Sequence, residues 1–309
     1  MSWYPTHLPD LSGRTYAITG ATGGIGYFAA EQLAAAGAEV VLASRSRAKL
    51  DVAAAAIRAR APHAVTHPIA VDLTSLASVA EGAEQLASLP RLDGIFLNGG
   101  PMQLSAGATT QDGLPLMTGA HTVANLALVA GLLPALVRQG ASADRFPRIV
   151  HASTGFVTRF PMDVSAPRTA PRLGIAAYTK AKTLTEVFAF ELDRRLRAAE
   201  LPVASIVTKP GVGVDAKTPE RAGIRDSSVS YQRNPLTPWA QGKDTAAWSG
   251  VRALADPEAA GGQYYGPAGS FRGLPVLGTP AAHTAAPDPQ LADAIWEQLE
   301  QLAGVSVPV

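Results

Sequence analysis

Cysteine is absent from this 309-residue sequence, which excludes disulfides and thiolate metal sites and permits a reducing compartment. An excess of either charge is also missing. Lys and Arg number 26 against 25 Asp and Glu, for a net charge of +1 with no long basic run. Neither nucleic acid nor an anionic membrane surface is therefore an expected partner. The start, Met1-Ser2-Trp3-Tyr4-Pro5-Thr6-His7, lacks the basic residues and apolar run of a signal peptide, and a cytoplasmic location is expected. Long apolar runs are missing too. The region from Leu114 to Leu136 is interrupted by Pro115, His121, Asn125, Gly131 and Pro134, which predicts a buried helix and no membrane span. His7, His63, His67 and His283 have no thiol to join them as ligands, so no metal site is expected, and His67, though four residues after His63, reads as a strand-start residue.

Apolar residues make up 47% and charged residues 17%, the balance of a globular chain able to bury a sizeable core. Short β-branched runs alternate with helix-length segments, the pattern of repeated βα units and a parallel sheet. Strands are predicted at 14–19, 39–43, 66–71, 94–97, 148–152 and 203–207. Helices are predicted at 25–36, 48–60, 76–87, about 112–138 and 176–199, with an amphipathic one at 291–302 carrying Trp296. The strands lack clean alternation, as expected where helices cover both faces. No second core is evident. The fold class is α/β, a single domain over 1–309 with three layers around a Rossmann-type, doubly wound parallel sheet. Residues 212–240, rich in Pro, Gly, Ser and charge, are expected to form a mobile lid, and about 267–309 a C-terminal extension.

The turn Thr19-Gly20-Ala21-Thr22-Gly23-Gly24-Ile25-Gly26 joins the first predicted strand to the first helix. Glycines there let the N–H groups of a helix N-terminus approach a pyrophosphate. A turn that merely connects strand to helix is the plainer alternative. At the end of the second strand, NAD-preferring enzymes place a carboxylate on the ribose 2′-hydroxyl. This chain has Ala43-Ser44-Arg45 there and no acid until Asp51. Arg45 and Ser44 suit a phosphate, which predicts NADP(H), unless Arg45 simply opens a solvated helix. Asp72 suits either an adenine-amine contact or a cap on the next helix, since Thr74 and Ser75 follow. Tyr178 and Lys182 are four apart, so a phenol and an ammonium can share one helix face and one cleft. A nearby positive charge lowers a tyrosine pKa from its usual value of about 10. Tyr231, Trp239 and Trp248 suit either a substrate pocket near the lid or core packing.

Together these residues resemble the short-chain dehydrogenase/reductase family over nearly the whole chain. The matching motifs are Thr19-Gly20-x-x-x-Gly24-Ile25-Gly26, Asp72-Leu73, Leu97-Asn98-Gly99-Gly100, Tyr178-x-x-x-Lys182 and Pro210-Gly211. Asp112-Gly113, Gly262-x-Tyr264-Tyr265-Gly266-Pro267 and the Trp296 segment look most like the retinol-dehydrogenase-like branch. The resemblance implies an NADP(H)-dependent oxidoreductase that interconverts a carbonyl and an alcohol on a small-molecule substrate. Tyr178 would exchange a proton with the substrate oxygen, while Lys182 would lower its pKa and hold the nicotinamide ribose. The cofactor would lie against Gly20, Thr22, Gly23, Gly24, Ile25, Gly26, Ser44, Arg45, Asp72, Leu73, Asn98, Gly99 and Gly100, with Pro210 and Gly211 on the nicotinamide side. A hydroxyl at the end of the fifth strand would bind the substrate oxygen.

The sequence departs from the family pattern in four places. His151-Ala152-Ser153-Thr154 stands where the family reads Asn-x-Ser-Ser, which gives Thr154 the catalytic role by position and leaves Ser153 as the alternative. The family asparagine that holds a relay water through its carbonyl falls on His121, with Asn125 one turn on as the fallback. Lys209 precedes Pro210, and Asp215 stands where a threonine often binds the carboxamide. These departures motivate a competing reading from another class, a nucleotide-binding sensor or scaffold whose chemistry has eroded. The helix bearing Tyr178 and the long apolar helix before it often form a homodimer or homotetramer interface in this family; a C-terminal extension covering those faces is the alternative.

Overall fold

A strand buried along its whole length has no polar face to alternate, and four of the eight described strands of this sheet are of that kind. In the computed structural model, which describes residues 3–102, 107–142, 144–229 and 233–309, β1 (Thr15–Thr19) is buried throughout and β2 (Glu39–Ser44) all but its ends. β3 (Thr66–Ala70) is a half-exposed edge, whereas β4 (Gly94–Leu97), β5 (Arg148–Ala152) and β6 (Ala204–Thr208) are again wholly buried. The described strands form one sheet in the order β3-β2-β1-β4-β5-β6-β7-β8, where β7 is Tyr264–Gly269 and β8 is Arg272–Leu277. All neighbours are parallel except the β7–β8 pair.

Alternate strand residues feed two cores. Tyr16, Ile18, Val40 and Leu42 join α1 (Gly24–Ala35), α2 (Arg47–Arg60) and, beyond the short α8 (Lys243–Ala246), α9 (Trp248–Ala255) on one face. Ala17, Val41, Ile95 and Ile149 join α3 (Leu76–Ala87), α5 (Ala124–Gly140), α7 (Gly174–Ala198) and α11 (Pro289–Ala303) on the other. The chain order reverses between β1 and β4, which opens a crevice at their carboxyl ends, the place where doubly wound sheets bind ligands.

Three features differ from the sequence expectations. The helix expected near 112–138 starts only after Pro115, as α4 (Leu116–Thr118), a π-helical turn (Gly119–Val123) and α5. This stretch, Leu116–Gly140, is long and apolar enough to cross a membrane, with a mean hydropathy of 1.7, yet 78% of its apolar window is buried inside the protein. The β7–β8 hairpin was not anticipated, because its Gly and Pro content hides a strand. Pro267 faces Pro275 across the pair, beyond the two residues where β7 meets β6, so neither proline breaks a needed ladder bond. The helices at α6 (Phe156–Arg159), α8, α9 and α10 (Ala282–Ala285) were not predicted; all are single turns but α9, which has eight residues.

The demand for cover on α5 and α7 is met within the chain. Ile295, Trp296 and Leu299 of α11 share a core with Leu133, Val187, Phe188 and Leu192, and the Trp296 and Phe188 rings lie 5.2 Å apart. The segment 212–240 is tied to α1 over its described part. Arg221 holds Glu31 at 2.6 and 2.8 Å and lies over the Phe28 ring.

Candidate active site

Glycine shapes the crevice by close approach. A Cβ on Gly26 would lie 2.5 Å from the Gly20 carbonyl oxygen and 2.7 Å from Asn98 Nδ2; one on Gly20 would lie 2.8 Å from Gly99 Cα. Gly20 also has a φ of +70°, a conformation other residues adopt with strain. Thr19 fastens β4 to the turn: its hydroxyl accepts from Gly99 N–H at 2.9 Å and its carbonyl accepts from Asn98 Nδ2 at 3.3 Å. Gly26 and Asn98 thus brace the turn from beneath, and Ile25, in the first turn of α1, packs half-buried against the core.

Gly20, Ser44, Arg45, Asp72, Leu73, Gly99 and Gly100 are brought together around one cleft of about 180 Å³. Thr22, Gly23 and Gly24 line a second opening of about 560 Å³, together with Lys49, Asp215, Arg225 and Lys243. The Thr22 and Ser44 hydroxyls, 3.2 Å apart, link the two. Asp72 does not cap α3, because Ser75 does so through Ser78 N–H. Asp72 instead accepts from Thr74 N–H at 2.9 Å and from its hydroxyl at 2.8 Å. Arg45 is exposed at the rim. A glycine turn with no room for a side chain, an open helix N-terminus and a cation at the end of β2 fit a dinucleotide.

On the far side, Gly211 has a φ of +71°, and a Cβ there would meet the Phe271 carbonyl at 2.4 Å, so only glycine lets the β7–β8 turn close over it. Pro210 accepts from Gln241 Nε2 at 2.8 Å. Lys209 leans away over the Tyr264 ring at 5.6 Å, and Asp215 pairs with Lys243 at 2.5 Å. Lys243 was missed by sequence reasoning, and no local pattern marks it. Trp239 is 58% exposed in a turn of the 212–240 segment instead of packed in a core; Trp248 opens α9, and Tyr231 lies outside the described residues.

Tyr178, Thr154, Lys182 and His121 converge where β5, the π-turn and α7 meet. The His121 ring stands edge-on to Tyr178, centroids 5.5 Å apart. Gly100 makes room for it, since a Cβ there would lie 2.1 Å from His121 Cε1. His121 Nε2 meets the Pro101 carbonyl at 2.9 Å, which makes Nε2 the donor and leaves the buried Nδ1 without a partner. Burial, aided by the Lys182 charge, depresses His121 to about 3, so the ring is neutral. The π-turn frees its carbonyl, which accepts from Asn125 Nδ2 at 2.8 Å and from Thr185 Oγ1 at 3.1 Å.

Lys182 Nζ donates to the Ala152 carbonyl at 2.6 Å and sits 5.9 Å from the Tyr178 ring centroid. Burial lowers Lys182 to about 8, opposed by the Glu186 charge. Burial raises the Tyr178 phenol to about 12, with Thr154 pulling the other way. Desolvation therefore governs the phenol in this arrangement, in which Lys182 Nζ is bound to the end of β5. Thr154 and Ser153 face opposite ways. Ser153 Oγ donates to the carboxylate of Glu186, whereas Thr154 stands beside Tyr178 at the cleft. Glu186, a residue sequence reasoning missed, continues the stripe of Tyr178 and Lys182 at i+8. That spacing was a usable signal. Among the described residues, no group of three or more His, Asp or Glu side chains is placed to hold a metal.

Comparison with known proteins accords with this geometry. Residues 14–141 match the family model described as short chain dehydrogenase. The polyprenol dehydrogenase of Mus musculus is 33% identical over 267 residues, covering 84% of this chain and 77% of that protein. A Streptomyces lividans protein named "Probable oxidoreductase" is 33% identical over 303 residues, covering 93% of this chain and 97% of its own. The crystal structure of an uncharacterized protein from Mycobacterium paratuberculosis superposes with a TM-score of 0.77 at 25% identity, over 100% of both chains.

Proposed function

The chain belongs to the short-chain dehydrogenase/reductase family of nicotinamide-dependent oxidoreductases, and on that premise we propose that it interconverts a carbonyl and an alcohol with NADP(H) through Tyr178 and Lys182. The observation that carries the reading is the convergence of Tyr178, Thr154 and Lys182 beside a glycine-walled crevice. When bound, the nicotinamide supplies or takes the hydride. Thr154 holds the substrate oxygen, and Tyr178 gives that oxygen its proton in reduction or removes it in oxidation. Lys182 steadies the phenolate side of that exchange. Gly20, Thr22, Gly23, Gly24, Asp72, Leu73, Gly99 and Gly100 bind the nucleotide over the braces of Gly26 and Asn98, with Pro210 and Gly211 closing the other end. Ser44 and Arg45 at the end of β2 favour NADP(H) over NAD(H).

An apolar substrate suits a cavity lined by Pro115, Leu116, Met117, Pro171 and Ala177, the last next to Tyr178 in sequence, with no charged residue among its described lining. The mouse relative, by its name, acts on a polyprenol, an alcohol of that character. We assign the described part of 212–240 as a lid over the cofactor, since Asp215 and Arg225 line the opening beside Gly24, and the enzyme to the cytoplasm, given the burial of its long apolar helix.

The test is carbonyl reduction with NADPH by Tyr178→Phe. Turnover should fall at least ~100-fold, with NADPH affinity within about twofold of wild type; retained turnover would remove the acid–base role. The sensor reading draws on the phenol raised to about 12 and on Lys182 bound to Ala152. NADPH binding without turnover across aldehydes, ketones and alcohols would favour it.

A further inference from the structure

Glu186 takes no part in the chemistry above, yet its side chain is enclosed at the heart of the site, with 1% of the residue exposed. It lies one helical turn beyond Lys182 at i+4, so both side chains leave the same stripe of α7. Two hydroxyls hold it: Ser153 Oγ donates to Oε1, and Thr284 Oγ1 of α10 lies 2.8 Å from Oε2, its proton shared between that oxygen and the Ala281 carbonyl at 2.9 Å. Lys182, itself 2% exposed, donates to the carbonyl of Ala152, the residue just before Ser153. Carboxylate and ammonium are thus anchored on consecutive residues at the end of β5.

The other titratable groups around Lys182 supply no negative charge. His121 from the π-turn and His151 from β5 are neutral through burial, and Tyr178 on α7 keeps its proton. Burial raises the Glu186 carboxyl above its ordinary value, while the Ser153 and Thr284 hydroxyls and the charges of Lys209, which follows β6, and Lys182 favour its ionised form. A buried ammonium without a counter-charge gives up its proton, and among the described residues Glu186 is the carboxylate that acts on Lys182.

We propose that Glu186 is the counter-charge that keeps Lys182 protonated, a positioning residue clamped by Ser153 and Thr284, so that α10 in the C-terminal region acts on the Tyr178 site. The proposal rests on the reading of Lys182 as the partner of Tyr178. It also accounts for Ser153, whose hydroxyl fixes the carboxylate and leaves the substrate side to Thr154.

The test is NMR titration of protein labelled with ¹³C at lysine Cε, the Lys182 signal being the one absent from Lys182→Met. The wild-type midpoint is expected near pH 8. Glu186→Gln should lower it by about one unit or more. Glu186→Asp should restore most of the shift, and Thr284→Val should give a smaller change of the same sign. The alkaline limb of kcat/KM should move with the signal, whereas a purely structural role would lower Tm and leave the midpoint in place. An unmoved midpoint in Glu186→Gln overturns the proposal whether or not any substrate is turned over. A moved midpoint in a protein without turnover upholds the coupling and removes the acid–base reading instead. If Glu186→Gln does not fold, Thr284→Val, which keeps the carboxylate, decides the matter by the same midpoint.

Discussion

The two ends of the crevice are built by opposite means. At the end proposed to hold the nucleotide, fit comes from side chains that are missing: Gly20, Gly26 and Gly99 let β1, β4 and α1 close to backbone contact, and the local polar atoms find partners. At the chemical end, fit comes from polar groups forced into the interior. Lys182, Glu186, His121 and His151 are all buried, and such partners as they have come from the end of β5, the segment after β4 and α10. Both ring nitrogens of His151 lack partners, as does Asn125 Oδ1. The first end is sensitive to added bulk, the second to a change of charge. A domain can keep a dinucleotide cradle at little electrostatic cost, while a poised phenol demands buried ions and their counter-charges.

That contrast can be broken most forcefully by acid. Burial, with the Lys182 charge second, depresses His151 and His121 to about 3. Below the unfolded value of about 6.5 the unfolded chain binds protons that the folded chain refuses, so stability should fall as pH drops from about 6.5 toward 3. The loss should reach a few kcal/mol. Replacing His151 by Leu removes one of these sites, and denaturant midpoints should then decline less steeply over that window; an unchanged slope would mean the ring is not refused its proton.

Bulk is the next test. Gly26→Ala, whose Cβ would lie 2.5 Å from the Gly20 carbonyl, should cost about 1–3 kcal/mol and weaken NADPH binding. Gly23→Ala has nothing within 4 Å of its Cβ and should leave urea stability within about 0.5 kcal/mol of wild type. Equal effects in the two variants would deny that close approach shapes this end. The last test is at the rim. Arg45→Glu should weaken NADPH about tenfold and NADH far less, measured by fluorescence titration. Equal losses for both cofactors would sink the 2′-phosphate assignment.

The nucleotide end was legible in the sequence because glycine spacing and strand pattern are local. Gly20, Gly24 and Gly26 announce a turn whatever surrounds them, and β1, β2, β4 and β5 fell within a residue of their predicted limits. The chemical end was legible only in part. The i, i+4 spacing of Tyr178 and Lys182 was enough to pair them on α7, and the same periodicity carried on to Glu186 could have drawn it in. Thr284 and Lys243 lie far along the chain from what they touch, and their surroundings offer no pattern to read; the β7–β8 hairpin is local, but its Gly and Pro residues hide the strands.

By itself the sequence determined the βα alternation, the glycine turn and the helix face shared by Tyr178 and Lys182, since each depends on neighbours within a few residues. Only the tertiary structure decided which hydroxyl at the end of β5 meets the tyrosine and which meets Glu186, and what covers α5 and α7. It also decided that burial, more than charge, governs the Tyr178 phenol. Desolvation and side-chain direction depend on every element packed around a group, and that packing exists only once the distant parts of the chain have met.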